Sequence, residues 1–238
     1  MPITTVLLDL DDTLYDHSWS CRRALAALRQ THPGLRRHTL TSLAHRHLEL
    51  LNQYHLEILA KRETTDSARA KRYRDFFAGY GIDYQEDELE TLLLPYRHAY
   101  EASRRAVPGA RALIAALVRR GVTIGVCTNH YSRTAQRQKL IECGFDTLVH
   151  NLFVSADLGC SKPDPALFHT VLDRLGSNAA SAVMLGDSFT SDVAGALRAG
   201  MRAVWLNRFR SPRPHQITEI REIRSLRPVH TVLQALLG

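Results

Sequence analysis

At 238 residues, with 45% hydrophobic and 23% charged side chains, the chain can bury the core of one large domain or two unequal ones, and its composition excludes disorder. No apolar run approaches the ~18 residues of a spanning helix and no basic-then-apolar leader opens the chain, so a cytoplasmic location and no membrane partner are expected. The net charge of +7 comes mostly from arginines spread along the chain without an aromatic-interleaved stripe, which suits an anionic small molecule better than nucleic acid. Cys21, Cys127, Cys143 and Cys160 show no paired spacing and read as reduced thiols.

The first element is an apolar run, Val6 to Leu8, that reads as a buried strand and ends in Asp9, Asp11 and Asp12. Like charges this close repel and raise one another's pKa, so such clusters persist where a cation neutralises them or a proton is handed over. Taken alone, such a cluster is more often a solvated acidic turn. From 15 to 103 the pattern is helical. Trp19 to Gln30 forms the first helix. Leu40, Leu43, Leu48, Leu51, Tyr54, Ile58 and Leu59 mark one face of a long second one. Ala68 to Ala78 and Glu86 to Ser103 follow, with Gly79 and Gly81 closing the third and Pro95 placed to kink the fourth. A helical block inserted straight after a strand and its acidic cluster divides the chain into a core of 1–14 and 104–238 and a helical cap of 15–103.

From Pro108 the pattern alternates: helix 108–120, strand 122–128, helix 132–143, strand 148–154, helix 165–175 capped by Asp164, strand 182–186, helix 191–199 and strand 202–206. The tail reads as a basic loop from Arg208 to His215 and a closing helix over 225–237. The expected fold is α/β, a doubly wound parallel sheet with an inserted all-helical cap domain, and ligands of such sheets bind outside the strands' carboxyl ends. Asp9, Thr128 and Asp187 all fall at such ends.

Four stretches therefore stand out in order: Asp9-Leu10-Asp11-Asp12-Thr13; Thr128-Asn129; Lys162 in Cys160-Ser161-Lys162-Pro163-Asp164-Pro165; and Gly186-Asp187-Ser188 with Asp192 downstream. Lys162 is one of only four lysines, with Lys61, Lys71 and Lys139. Together these stretches resemble the haloacid dehalogenase (HAD) superfamily of phosphohydrolases, whose motifs are DxDxT, a strand-terminal Thr or Ser, a Lys, and GDxxxxD. The resemblance covers residues 3–14 and roughly 104–210. It implies a Rossmann-like core with the superfamily's first type of cap. It also implies Asp9 as nucleophile, Asp11 as general acid and base, and Mg²⁺ held by the Asp9 carboxylate, the Asp11 main-chain carbonyl and the Asp187 carboxylate. Asp192 would stand behind those ligands or contact Lys162. Thr128, Asn129 and Lys162 would hold the transferring phosphoryl oxygens, Asn129 by its backbone N–H alone if need be.

The reaction so implied is hydrolysis of a small phosphorylated metabolite, a nucleoside monophosphate or sugar phosphate, through an aspartyl-phosphate, by a monomer or homodimer. Tyr15, His17 and Trp19 are candidates for substrate choice. Asp12 replaces the Gly commonest after the second acid, as in nucleotidase-like branches, and His130 stands where a small residue is common. The histidines His45, His47 and His55 read as surface or core residues rather than metal ligands. A phosphomutase would share every core residue. A haloacid dehalogenase uses the same nucleophile without needing Asp11 or a metal, and a phospho-acceptor signalling module would be shorter and capless.

Overall fold

Val6, Leu7 and Leu8 are fully buried, as expected of a strand covered on both faces, where the hydrophobic run is continuous rather than alternating. The computed structural model describes residues 1–59, 62–214 and 220–238, the Leu59 side chain excepted; Lys61 and His215 lie outside the described residues. The elements in chain order are β1 (Thr5–Leu8), α1 (His17–Thr31), α2 (Pro33–Arg36), α3 (Leu40–Leu59), α4 (Thr65–Ala78), α5 (Leu89–Ala102), α6 (Ala110–Val118), β2 (Thr123–Thr128), α7 (Arg133–Glu142), β3 (Asn151–Val154), α8 (Ser155–Leu158), α9 (Pro165–Arg174), β4 (Ala182–Gly186), a π-type turn (Phe189–Ala194), α10 (Gly195–Arg198), β5 (Arg202–Leu206), β6 (Arg221–Ile223) and α11 (Val229–Leu237). They divide into two compact units, Met1–Asp16 with Arg105–Gly238, and His17–Arg104.

The first unit is built on one sheet of order β3-β2-β1-β4-β5-β6, every neighbouring pair parallel. On one face Leu7, Cys127, Phe153 and Met184 meet Leu167, Phe168, Val171 and Leu172 of α9. Elsewhere α6 packs on β2 and on α11. Gly121, past the end of α6, takes φ +68°, the left-handed state that lets the chain leave the helix and enter β2. This is the doubly wound α/β arrangement. Strand order reverses about β1, so the loops after β1, β2 and β4 share one end of the sheet.

The sixth strand, Arg221–Ile223, pairs with β5 at the edge. Its three residues, two of them charged, carry no readable period. The expected helix over 191–199 is a π-type turn followed by one short helical turn.

The second unit is helical. Ala24, Leu25, Leu28, Leu43, Leu50, Tyr73, Phe76, Phe77, Leu93 and Tyr96 form its core, and α5 runs on through Pro95. The buried stripe of α3 differs from the expected one. It follows Leu43, His47 and Leu50, whereas Leu48 is 53% exposed. A buried histidine takes the place an apolar residue would mark, with Nε2 3.2 Å from Tyr96 Oη, and burial lowers its pKa. His45 instead lies at the surface beside Glu49. His17 contacts Tyr100 Oη through Nδ1 at 2.8 Å and Cys21 Sγ through Nε2 at 3.3 Å. All four cysteines are free, and no helix among the described residues is long and apolar enough to cross a membrane.

Candidate active site

The site begins where β1 runs out. The Asp9 N–H still donates to Leu185 O (2.9 Å), so the residue is fixed by the sheet while its side chain leaves the strand end. The chain then turns tightly, with Leu14 and Tyr15 N–H both returning to Leu10 O. Asp12 takes φ +59° in this turn. That is the left-handed state Gly occupies freely and Asp tolerates better than most residues, which explains how Asp12 stands where Gly is common. Arg208 fastens the turn, donating from Nη1 to Asp12 O (3.0 Å) and from Nη2 to Asp16 Oδ1 (2.9 Å). Thr13 is fully buried, and its Oγ1 has no hydrogen-bond partner among the described residues, so its contribution is packing.

Lys162 is 2% exposed. Its Nζ donates to Asp9 Oδ1 (2.6 Å), Asp192 Oδ1 (2.6 Å) and Cys127 O (2.9 Å), which uses all three ammonium protons. Burial would lower its pKa, but Asp192 and Asp9 outweigh burial and raise it, so it is charged. Asn129 holds the Lys162 backbone from both sides, donating from Nδ2 to Lys162 O (2.7 Å) and accepting from Lys162 N–H at Oδ1 (2.8 Å). Its side chain is therefore committed to the loop that presents the lysine.

Asp187 follows β4. Carboxylate oxygens of Asp9, Asp187 and Asp192 come within 4.8 Å of one another. Burial, against the opposing pull of Lys162 and with repulsion from Asp192 and Asp11, pushes the Asp9 carboxyl up to about 7. Burial and the nearby Asp9 and Asp192 hold Asp187 well above the usual carboxylate range. Asp192 is 1% exposed; its Oδ1 meets Lys162 and its Oδ2 accepts from Ser188 N–H (3.0 Å). Gly186 makes room for it, because a Cβ there would stand 2.1 Å from Asp192 Oδ2. π-type turns recur at functional sites, and here one carries Asp192 inward.

Thr128 ends β2, buried, with Oγ1 accepting from Gln136 Nε2 (2.9 Å). Asp11 does not join the other carboxylates. Lys139 Nζ donates to its Oδ1 (2.6 Å) and Oδ2 (2.9 Å), and Gln136 Nε2 to its Oδ2 (3.3 Å). Gln136 and Lys139 were not legible as site residues. Both are buried on α7, yet they are polar, and a hydrophobicity pattern puts such residues outside. The one available signal was that Lys139 is a rare lysine in an arginine-rich chain. Of the remaining candidates, Tyr15 is fully buried with its ring centroid 5.0 Å from Lys139 Nζ, and Trp19 is 38% exposed. His130 Nδ1 accepts from Ser132 N–H (3.0 Å), and Asp164 caps α9 by accepting from Ala166 N–H (2.9 Å).

Three relatives bear on identity. The HAD-hydrolase YfnB of Bacillus subtilis is 28% identical over 231 residues, 96% of this chain and 94% of its own. The crystal structure of magnesium-bound YfnB, which reveals interdomain movement, superposes with a TM-score of 0.78 at 25% identity, covering 98% of this chain and 99% of that one. The glyceraldehyde 3-phosphate phosphatase of Pyrococcus abyssi is 27% identical over 85% of this chain and 81% of its own. A phosphoserine phosphatase of Thermus thermophilus is 35% identical over 51% of this chain and 49% of its own, so that match spans only about half of each protein. The pattern of the haloacid dehalogenase-like hydrolases runs through residues 3–200, and the chain belongs to that family of hydrolases.

Proposed function

We propose that the protein is a Mg²⁺-dependent phosphatase of a small phosphorylated metabolite, acting through an aspartyl-phosphate on Asp9. The observation that carries this reading is a charge imbalance. Asp9, Asp187 and Asp192 converge with Lys162 as the cation in hydrogen-bond contact, a formal balance of two negative charges. A hard divalent ion that takes oxygen ligands fits that donor set. Asp9 and Asp187 would hold the ion with the Asp11 main-chain carbonyl, whereas Asp192 has both oxygens engaged. The ion would shield carboxylate from phosphate and draw charge from the phosphoryl oxygens. The magnesium in the YfnB structure supports the choice of metal.

In this reading an Asp9 oxygen attacks phosphorus, the ester P–O bond breaks, and Asp11 protonates the departing alkoxide. Asp11 then takes a proton from water as the water oxygen attacks phosphorus. Cleavage of the Asp9–phosphorus bond releases inorganic phosphate and restores both carboxyl groups. Lys162, Thr128 and the Asn129 N–H would offset charge on the transferring oxygens. A dehalogenase has no use for Asp11, so its engagement by two buried side chains favours phosphoryl chemistry. Glyceraldehyde 3-phosphate and phosphoserine, named in relatives, join nucleoside monophosphates and sugar phosphates as substrates to try. The helical unit, inserted where the family's first cap type lies, would supply selectivity. Four free cysteines suit the reducing cytoplasm.

The test is hydrolysis of p-nitrophenyl phosphate after exhaustive chelation and after Mg²⁺ is restored. Loss and recovery of turnover is expected, and activity that survives chelation overturns the metal assignment. Phosphoryl transfer to a second sugar phosphate in place of phosphate release would mark a mutase.

A further inference from the structure

Helix α7 starts at its Ser132 cap and turns Gln136, Lys139 and Leu140 inward. Gln136 is fully buried and Lys139 is 7% exposed. A carboxamide and an ammonium in such places are costly unless paired, and both are paired toward the site. Gln136 Nε2 carries two protons, one for Thr128 Oγ1 (2.9 Å) and one for Asp11 Oδ2 (3.3 Å). Thr128 Oγ1 is an acceptor in that contact, so its own proton is directed elsewhere, as a group that binds a phosphoryl oxygen requires. Gln136 Oε1 is buried without a hydrogen-bond partner among the described residues. Reversing the amide would let the Thr128 hydroxyl donate to Oε1 but would set Oε1 against the Asp11 carboxylate, acceptor against acceptor, and would leave Nε2 where Oε1 now has no partner among the described residues. Asp11 thus fixes the amide and, through it, the polarity of the Thr128 hydroxyl. Lys139 completes the arrangement by reaching both Asp11 oxygens (2.6 and 2.9 Å).

We propose that Gln136 and Lys139 are positioning residues, a pair on one helix that orients the Thr128 hydroxyl as a donor and holds the Asp11 carboxylate as a proton carrier apart from the cluster of Asp9, Asp187 and Asp192. The inference rests on the phosphatase reading. Neither residue touches the reacting atoms; each acts through the group it holds. A misplaced acid and base slows the steps that need proton transfer and leaves ester binding intact, so kcat falls and KM does not follow.

The experiment compares Lys139→Met, Lys139→Arg and Gln136→Leu with the wild type on p-nitrophenyl phosphate, whose leaving group needs little protonation, and on an alkyl phosphate, whose leaving group needs it. Lys139→Met is expected to lose roughly 10–100-fold in kcat on the alkyl ester with KM changed less than about threefold. The first half-reaction with the aryl ester should be slowed at least about tenfold less, measured as the pre-steady-state burst of p-nitrophenol. Lys139→Arg, which keeps a cation, should recover most of the loss and guards against misfolding of the Met variant. Gln136→Leu should raise KM and lower kcat on both esters, because it withdraws the donor that sets the Thr128 hydroxyl. Mn²⁺ titrated calorimetrically into metal-free Lys139→Met should bind within about threefold of wild type, as expected if the lysine serves Asp11 and not the ion. In Lys139→Met, equal slowing of the alkyl ester and of the aryl burst, no recovery in Lys139→Arg, or a larger change in Mn²⁺ affinity would overturn the proposal while the wild type still turns over, as would a Gln136→Leu variant with unchanged kcat and KM on both esters. A wild type inactive on both esters removes the phosphatase reading and this inference with it.

Discussion

Gly186→Ala puts the geometry of the site under the most local strain a single methyl can apply. The added carbon would stand 2.1, 2.3 and 2.5 Å from Asp192 Oδ2, Cγ and Cβ, where ordinary contacts begin at 3.4 Å. All three atoms belong to one short, buried side chain with no flexible end to swing aside. Relieving the overlap moves Asp192 off Lys162 Nζ (2.6 Å) and Ser188 N–H (3.0 Å). Hydrogen bonds to charged groups contribute about 1.5–3 kcal/mol each, so losing two predicts a destabilisation of about 3–6 kcal/mol. Trp205 lies beside Gly186 in register on β5 and donates from Nε1 to Asp187 O (2.8 Å), which makes its fluorescence a local probe. With Trp19 replaced by Phe, urea unfolding followed at Trp205 should show a lower midpoint at unchanged slope. In an Asp192→Gly background the clashing atoms are gone, and the same methyl should cost less than about 1 kcal/mol. A Gly186→Ala protein within about 1 kcal/mol of wild type, or equal costs in both backgrounds, would contradict this prediction.

Other expectations follow from the same contacts. Lys162→Met leaves the Asp9 and Asp192 carboxylates buried without their cation, which should cost about 3–5 kcal/mol of stability and at least roughly a hundredfold in kcat; denaturant unfolding and turnover measured together check it, and a stable variant of near-wild-type rate contradicts it. His47 is a base whose folded pKa is lowered by burial, so its neutral form is favoured in the folded unit. The stability it allows is complete above the unfolded pKa of about 6.5 and is lost as pH falls below it, because the unfolded chain then binds the proton. Trp19 fluorescence should therefore report an acid limb in the stability of the helical unit that is shallower by up to one proton in His47→Leu, and an unchanged slope would remove His47 as a source.

The sheet and the convergence of Asp9, Thr128 and Asp187 were legible because β1, β2 and β4 are continuous apolar runs with a polar residue at each carboxyl end, and parallel strands gather those ends by topology alone. Lys162 was legible only through its motif; no periodicity points to a lysine in a loop. Lys139 and Gln136 were missed because their burial is secured by partners far along the chain, Asp11 and Thr128, which a local pattern does not contain. For the same reason His47 displaced Leu48 from the expected face of α3: an imidazole that can bond to Tyr96 is buried as readily as a leucine. Strand β6 escaped notice because pairing with β5, and not its own composition, makes it a strand. Asp12 was visible as an oddity, and its left-handed backbone supplies the reason.

Asp9 and Asp11 are chemically alike, yet the proposed reaction gives them opposite roles. In the proposed reaction Asp11→Asn would keep the nucleophile and the main-chain carbonyl but remove the group that activates water. Mixed with Mg²⁺ and p-nitrophenyl phosphate, quenched rapidly in acid and digested, this variant should carry one phosphoryl group on the peptide that contains Asp9 and release p-nitrophenol in a single stoichiometric burst. Asp9→Asn should show neither label nor burst. Phosphate found on any other residue, or repeated turnover by Asp9→Asn, would contradict the account at its centre.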